Sequence, residues 1–182
     1  PSTLPAAPLG RGLTRAQRLR RRIGTVLAAR GLVEVLTYPF VGVDERDALQ
    51  LPADDVRRRT PVLANPMSDE QPHLRGTLLP GLVSVARRNV GRGLVDLRLF
   101  EVGSVFLGEV ADVANRRQGV DRRPTEQEWA ELNELLPVQP THVAALFAGQ
   151  RQPEGWWGPA IAAGWADAVA TARVVADACG VE

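Results

Sequence analysis

The sequence predicts an α+β domain in which an antiparallel sheet is flanked by helices. Predicted helices and strands follow one another in mixed order, without the regular strand–helix alternation of a doubly wound parallel sheet. Two predicted strands, residues 94–102 and 104–107, are separated only by Gly103, which predicts a hairpin and therefore antiparallel pairing. With 182 residues, 45% of them hydrophobic, the chain can bury the core of one such domain.

The first predicted helix has clear start and stop signals. Thr14 and Gln17 have the spacing of a capping box, in which each side chain satisfies the backbone N–H of the other residue. Gly31 is a typical C-terminal stop. Apolar residues recur at helical spacing between these signals and form one stripe: Ala16, Leu19, Ile23, Val26 and Leu27.

The remaining elements are predicted from similar signals. Strands are expected where Val- and Leu-rich runs end at turn residues, and helices where a cap precedes an apolar stripe. The other predicted strands cover residues 32–38, 60–64 and 142–148. The other predicted helices cover residues 44–51, 77–89 with Thr77 as the cap, a segment from Thr125 that is capped by the Thr125–Glu128 pair, and 167–179. Loops are predicted at residues 109–124 and around Trp156 and Trp157.

Composition excludes several classes of protein. No apolar run approaches the roughly 20 residues needed to cross a membrane, so we expect no membrane partner and a cytoplasmic location. The single cysteine, Cys179, rules out an internal disulfide and any Cys-based zinc site. The Pro- and Ala-rich start predicts a linker at residues 1–12, followed by one domain at residues 13–182. Because Pro1 is not an initiator Met and no signal peptide follows, we expect a piece of a longer chain.

A search for catalytic residues finds none. The sequence lacks a Gly-rich phosphate loop and a Gly-x-Ser-x-Gly elbow. His73 and His142 lie far apart and have no Cys or carboxylate at ligand spacing, so both are expected to be structural. The adjacent acids Asp69 and Glu70 precede a predicted helix, where acids complement the helix dipole. We therefore predict no catalytic, cofactor-binding or metal-binding residue in this chain.

The arginines of the first helix are a candidate contact surface. All 22 basic residues of the chain are Arg, a bias that more often reflects a GC-rich genome than a function. Residues 1–30 contain seven arginines and no acid. Such a face can contact RNA phosphates, meet acidic residues of a partner subunit, or be only a solvated surface. The candidate RNA contacts are Arg11, Arg15, Arg18 and Arg22.

Three runs of sequence resemble one protein family, in the same order. Residues 65–82 are similar to the Asn-Pro-Leu-Ser-x-Glu … Leu-Arg-x-Ser-Leu-Leu-Pro-Gly-Leu stretch of the bacterial phenylalanyl-tRNA synthetase beta subunit. Residues 33–40, Val-Glu-Val-Leu-Thr-Tyr-Pro-Phe, resemble the strand after the family's first long helix. Residues 99–106 resemble its Leu-Phe-Glu-x-Gly-x-Val-Phe hairpin. The resemblance is strong over roughly residues 1–110 and loose beyond them.

The resemblance implies a fold like a degenerate class II aminoacyl-tRNA synthetase catalytic domain. It also implies that the aminoacylation site, with ATP and Mg, belongs to an alpha subunit, in a heterotetramer of two alpha and two beta subunits that binds tRNA. Class II enzymes hold ATP with a Phe-Arg-x-Glu motif and a later Gly-rich motif ending in Arg. Here Arg98 and Glu101 are three positions apart instead of two, and no later motif follows. Because adenylation needs such cations to offset negative charge, the chain alone is predicted to be inactive.

By analogy, the first helix and the strand after it lie where class II proteins form their subunit interface. The interface candidates are Arg15, Leu19, Arg22, Ile23 and Val26. The leading hypothesis is a non-catalytic core that supports aminoacylation by scaffolding the alpha subunit and tRNA. The alternative is a direct tRNA-binding module acting through the Arg-rich helix, and the missing ATP motifs disfavour a free-standing class II-like paralogue. One departure is Asp167-Ala168-Val169, where the family has Asp-x-Lys-Gly, so a role of that Lys is in doubt.

Overall fold

Helices cover both faces of a small sheet in the computed structural model, which describes residues 10, 12–108 and 121–181. The helices are α1 (Arg15–Ala29), α2 (Val43–Asp47), α3 (Leu79–Val90), α4 (Glu126–Glu134) and α5 (Trp165–Cys179), with a 3-10 helix at Val56–Arg58. The strands are β1 (Val33–Glu34), β2 (Phe40–Val41), β3 (His73–Leu74), β4 (Leu97–Ser104), β5 (Thr141–Ala148), β6 (Gln150–Gln152) and β7 (Ile161–Ala162). Most of the predicted linker and of the predicted loop at 109–124 lies outside the described residues.

The main sheet has the strand order β1–β4–β5. Strand β4 runs antiparallel to β5, with Leu97 opposite Ala148 and Ser104 opposite Thr141. Strand β1 runs parallel to β4 and forms one edge of the sheet. Two smaller antiparallel pairs, β2–β3 and β6–β7, lie outside this sheet. The predicted α+β class and the helix-flanked sheet are confirmed, and the sheet is mixed because β1 pairs in parallel.

Two hydrophobic clusters sandwich the central strand β4. Side chains of a strand alternate between the two faces of its sheet, so even and odd positions of β4 meet different helices. Phe100 and Val102 pack with Ile23 and Leu27 of α1 and with Ala178 of α5. On the opposite face, the odd positions pack against α3; this cluster contains Leu97, Leu99, Leu82 and Ala86. Strand β4 is therefore buried on both faces.

Helix starts follow the predicted caps in two cases of three. The Thr14–Gln17 capping box begins α1, with both bonds formed at 2.9 and 3.2 Å. A second box, between Thr125 and Glu128, begins α4. The prediction of Thr77 as the cap of α3 is wrong, because Leu78 occupies that position; the Thr77 hydroxyl makes only a long contact of 3.5 Å with Leu79 N.

The predicted hairpin around Gly103 is wrong, because β4 runs without interruption from Leu97 to Ser104. Gly103 is an extended residue of that strand and lies opposite His142 of β5. A Cβ at this position would collide with Nη2 of Arg75 and approach Oε1 of Glu101 to 3.2 Å. The glycine therefore marks a close approach of side chains to the strand, and not a turn.

Two predicted strands are shorter in the structure. Of residues 32–38, only Val33–Glu34 forms strand, extended by the bond from Val35 N to Phe100 O at 2.8 Å. Of residues 60–64, only Val62 pairs, through an isolated bridge to His73. Beyond Val35, the backbone of β1 leaves the sheet, so the apolar residues that follow it lie outside the ladder.

Two glycine substitutions are expected to have opposite effects on stability. Gly103→Ala should lower the free energy of unfolding by about 1–3 kcal/mol, because its Cβ overpacks the buried side chains above β4. Gly24→Ala, within α1, meets only Glu34 Oε2 at 3.8 Å and should raise it by about 0.5–1 kcal/mol through helix propensity. Urea unfolding followed by circular dichroism measures both. An unchanged midpoint for Gly103→Ala would contradict the close approach.

Candidate functional site

The candidate RNA contacts on α1 lie at the surface. Arg15, Arg18 and Arg22 are exposed, and the Nη1 atom of Arg18 donates to Leu13 O at 2.6 Å. No carboxylate of the described residues lies within ion-pair distance of these three arginines. Arg11 lies outside the described residues. The described arginines therefore form a face whose positive charge is not balanced within this part of the chain.

The five interface candidates do not share one surface. Arg15 and Arg22 are exposed, whereas Ile23 is 5% exposed and packs in the core against β4 and α5. Leu19 is half-buried and packs against the same cluster, and Val26 is also half-buried. Ile23 and Leu19 thus attach α1 to its own sheet, and the arginines are the members left to face a partner.

An exposed apolar surface follows α1, in the segment that the family resemblance placed at a subunit interface without naming any of its residues. Val33, Leu36 and Tyr38 are 61%, 78% and 83% exposed, although all three belong to a hydrophobic run. The Tyr38 ring stacks on Phe40 with 6.4 Å between the ring centroids. Val33 lies in the edge strand β1, and Leu36 and Tyr38 lie in the segment directly after it; these three residues define the edge surface. Open sheet edges are normally protected from other chains, so an uncovered apolar edge indicates a contact site.

A buried ionic cluster lies on the α3 side of β4. Arg75 and Glu101 form an ion pair at 2.7 Å between Nη1 and Oε1, and their side chains are only 7% and 2% exposed. The Thr37 hydroxyl donates to Glu101 Oε2 at 2.7 Å and accepts from Arg75 Nη1 at 2.9 Å. Arg75 Nε donates to the Ser104 carbonyl at 2.9 Å. Each charge is thus satisfied by hydrogen bonds, as a buried ion pair requires.

The cluster joins the three runs that carry the family resemblance. Thr37 comes from the first run, Arg75 from the second and Glu101 from the third. Glycines allow the close packing: a Cβ on Gly81 would collide with the Thr37 hydroxyl, and one on Gly103 with Arg75. The sequence analysis quoted these residues but assigned them no role. A lone Arg and a lone Glu within apolar surroundings were the available signal.

The cluster leaves Glu101 unsuited to ATP binding. Successive side chains point to opposite faces of a strand, so Arg98 and Glu101, three positions apart in β4, lie on opposite faces. Arg98 instead bonds the carbonyl of Arg151. Glu101 is 1% exposed and is fully engaged by Arg75 and Thr37. These two residues therefore do not form one nucleotide site.

The other candidates examined in the sequence have structural positions. His73 lies in β3, half-buried, and not in a loop; burial, followed by the charge of Arg46, lowers the pKa of its imidazole below the usual value. His142 is exposed in β5. Asp167, where the family motif is altered, lies in the first turn of α5 and accepts from Gly164 N at 2.9 Å. No group of three potential metal-ligating side chains occurs within the described ranges.

Solved structures with a similar chain trace place the fold among class II aminoacyl-tRNA synthetase domains. The chain matches a pyrrolysyl-tRNA synthetase from Desulfitobacterium hafniense with a TM-score of 0.55 and 17% identity, over 91% of this chain and 47% of that one. It matches a histidine–tRNA ligase subunit from Alicyclobacillus acidocaldarius with a TM-score of 0.53 and 14% identity, over 100% and 44%. At such identities the likeness shows the fold alone.

Sequence comparison identifies the family within that class. The family model for the phenylalanyl-tRNA synthetase beta chain CLM domain matches residues 1–182. The phenylalanine–tRNA ligase beta subunits of Thermobifida fusca and Streptomyces avermitilis are 53% and 52% identical to this chain. Each match covers 100% of this chain and 22% of the relative. The chain belongs to the phenylalanyl-tRNA synthetase beta chain family, and it spans about a fifth of the length of these relatives. No helix in the described part of the chain is long and apolar enough to cross a membrane.

Neutralising one charge of the buried cluster is expected to destabilise the fold. Glu101→Gln leaves the Arg75 guanidinium buried without its counter-charge, which should lower the free energy of unfolding by about 3–5 kcal/mol. Glu34→Gln, on the exposed edge strand, removes the same charge and is the matched control, expected to change stability by less than about 0.5 kcal/mol. Urea unfolding measures both.

A double variant tests whether the loss comes from the unpaired charge. Arg75→Met combined with Glu101→Leu removes both charges together and should cost less than Glu101→Gln alone. A double variant that is less stable than Glu101→Gln would show instead that the hydrogen bonds to Thr37 and Ser104 carry the stability.

Proposed function

We propose that this chain is a non-catalytic core of a phenylalanine–tRNA ligase beta subunit, which supports tRNA aminoacylation in the cytoplasm by holding the alpha subunit. In this proposal the complex contains two alpha and two beta subunits. ATP and Mg are bound by the alpha subunit, and none of the residues of this chain contacts them. The observation that carries the proposal is the exposure of Val33 in the edge strand β1 and of Leu36 and Tyr38 in the segment directly after it.

The edge surface has the chemistry of a protein interface. Aromatic and aliphatic side chains that stand at a sheet edge lose contact with water when another chain covers them, and this burial favours association. The exposed side chains follow α1 directly, so helix and edge together offer one continuous stretch of sequence, with Arg15 and Arg22 on the helix. Those arginines can pair with acids of the partner, which adds specificity more than affinity.

The buried cluster supports the non-catalytic part of the proposal. In a synthetase core, an Arg and a Glu near the sheet can hold nucleotide, but Arg75 and Glu101 are committed to each other and to Thr37. Using them for ATP would require breaking a buried ion pair and leaving a charge uncompensated. The geometry therefore favours a structural use of both residues.

Introducing a negative charge at the edge surface is expected to weaken binding of the alpha subunit. Leu36→Asp and Tyr38→Asp each place a carboxylate where the proposed interface excludes water, and should weaken binding about tenfold or more. Leu136→Asp, at a residue that is 57% exposed beyond α4, is the matched control and should bind normally. Co-purification of tagged protein with the alpha subunit of the same organism, followed by titration, measures the effect. Equal binding by all three variants would contradict this interface.

Adenylation should be absent from the chain on its own. Incubation with ATP, Mg and phenylalanine is expected to give no pyrophosphate exchange above background, because the sequence lacks the motifs with which class II enzymes hold ATP and offset its negative charge. Adding the alpha subunit should restore exchange. Exchange by the chain alone would overturn the non-catalytic assignment without bearing on the interface.

A second candidate function is direct tRNA binding by the arginine face of α1. The unbalanced positive charge of this face favours contact with RNA phosphates. Changing Arg15, Arg18 and Arg22 together to Ala should weaken tRNA binding. It should also reduce the slope of log Kd against log salt concentration by up to about 3. The control variant changes three exposed arginines near the end of α3, Arg87, Arg88 and Arg92, and removes the same charge. Equal losses in both variants would indicate a general charge effect and exclude a specific role of α1.

A further inference from the structure

A narrow cavity lies between α2, the segment after the 3-10 helix, and β3. It leaves about 10 Å³ of free volume, which is close to the space that one water molecule occupies. Arg46 of α2, Thr60 and His73 of β3 are among the residues that line it. The cavity is therefore too small for an organic ligand, and polar side chains from three separate segments line it together with apolar ones.

Three buried polar atoms line this one cavity. Among the described residues, the buried side-chain atoms without a hydrogen-bond partner are Arg46 Nε, Thr60 Oγ1 and His73 Nδ1. A carboxylate oxygen of Asp47 lies 3.7 Å from Arg46 Nε, which is beyond hydrogen-bond distance. Buried polar groups of folded proteins are almost always satisfied by protein or by ordered water. Because the three residues that carry these atoms all line the same cavity, we infer one shared partner within it.

The chemistry of the three atoms selects the partner. Arg46 Nε only donates a hydrogen bond, whereas the Thr60 hydroxyl both donates and accepts. The Nδ1 atom of a neutral histidine accepts when Nε2 carries the hydrogen, and the lowered pKa of His73 favours the neutral ring. A partner that accepts from Arg46 and donates to His73 must do both, which a water molecule does and a chloride ion does not.

We propose that this cavity binds one water molecule, which accepts from Arg46 Nε, donates to His73 Nδ1 and hydrogen-bonds to Thr60 Oγ1. The water connects Arg46 of α2 to His73 of β3. His73 lies two residues before Arg75 of the buried ionic cluster. Backbone contacts support the same junction: a Cβ on Gly76 would lie 2.6 Å from the Arg57 carbonyl and 3.0 Å from Thr60 Cγ2. The water therefore fixes the segment of residues 43–60 against the strand that leads into the cluster.

High-resolution diffraction from crystals of the intact protein that contains these residues tests the proposal. We expect one peak of water density within hydrogen-bond distance of Arg46 Nε, Thr60 Oγ1 and His73 Nδ1. Crystals soaked in bromide should show no anomalous signal there. An anomalous peak would identify a halide site, and a cavity without density would show that the three atoms find other partners; either result overturns the proposal.

Two substitutions of Thr60 provide a second measurement. Thr60→Val keeps the shape and the methyl contact with Gly76 but removes the hydroxyl, so Tm should fall by about 2–4 °C and the water peak should weaken. Thr60→Ser keeps the hydroxyl and should retain the peak. Thr25→Val, at an exposed threonine of α1, is the control for loss of a hydroxyl at the surface and should change Tm less. A Thr60→Val variant with the wild-type Tm and an unchanged peak would exclude the hydroxyl as a partner and contradict the three-atom site.

Discussion

The ion pair between Arg75 and Glu101 is the constraint on which the rest of the fold depends. Both charges are out of water, so each must be matched by the other and by hydrogen bonds, or the fold loses several kcal/mol. Meeting that requirement brings Thr37, the backbone of Ser104 and a strand-interior glycine to one place. The segments that carry these residues are far apart in sequence, so the pair ties the segment after β1, the end of β3 and the central strand together.

The same constraint separates structural residues from surface residues. In the segment after α1, Thr37 faces inward to the cluster, while its neighbours Leu36 and Tyr38 are exposed. In β4, Glu101 is bound to Arg75 within the cluster, and Arg98 lies on the other face of the strand. Arg98 and Glu101 therefore cannot bind one nucleotide together. Two features of the described surface stand out near this strand, the exposed apolar residues after α1 and the basic face of α1. This division underlies the proposed scaffold function.

Local signals predicted much of the secondary structure. The capping boxes at Thr14 and Thr125 are confirmed because each depends on atoms three residues apart, within reach of any chain that starts a helix. Predictions failed where a local signal had a non-local cause. Gly103 was interpreted as a turn, yet its missing Cβ accommodates Arg75, 28 positions earlier in the chain. Ile23 was named an interface candidate by analogy with class II proteins, and within this chain it packs in the core, which helical periodicity alone could not show.

The family, the α+β class and the arginine-rich character of the first helix could be predicted without a structure. These follow from ordered motifs, composition and periodicity, which need no knowledge of distant contacts. Only the tertiary structure decided that the sheet is mixed, that Arg75 and Glu101 meet, and which side of the β1 segment stays exposed. The physical reason is that pairing and burial depend on residues brought together from separate parts of the chain, and one linear pattern is compatible with several such arrangements.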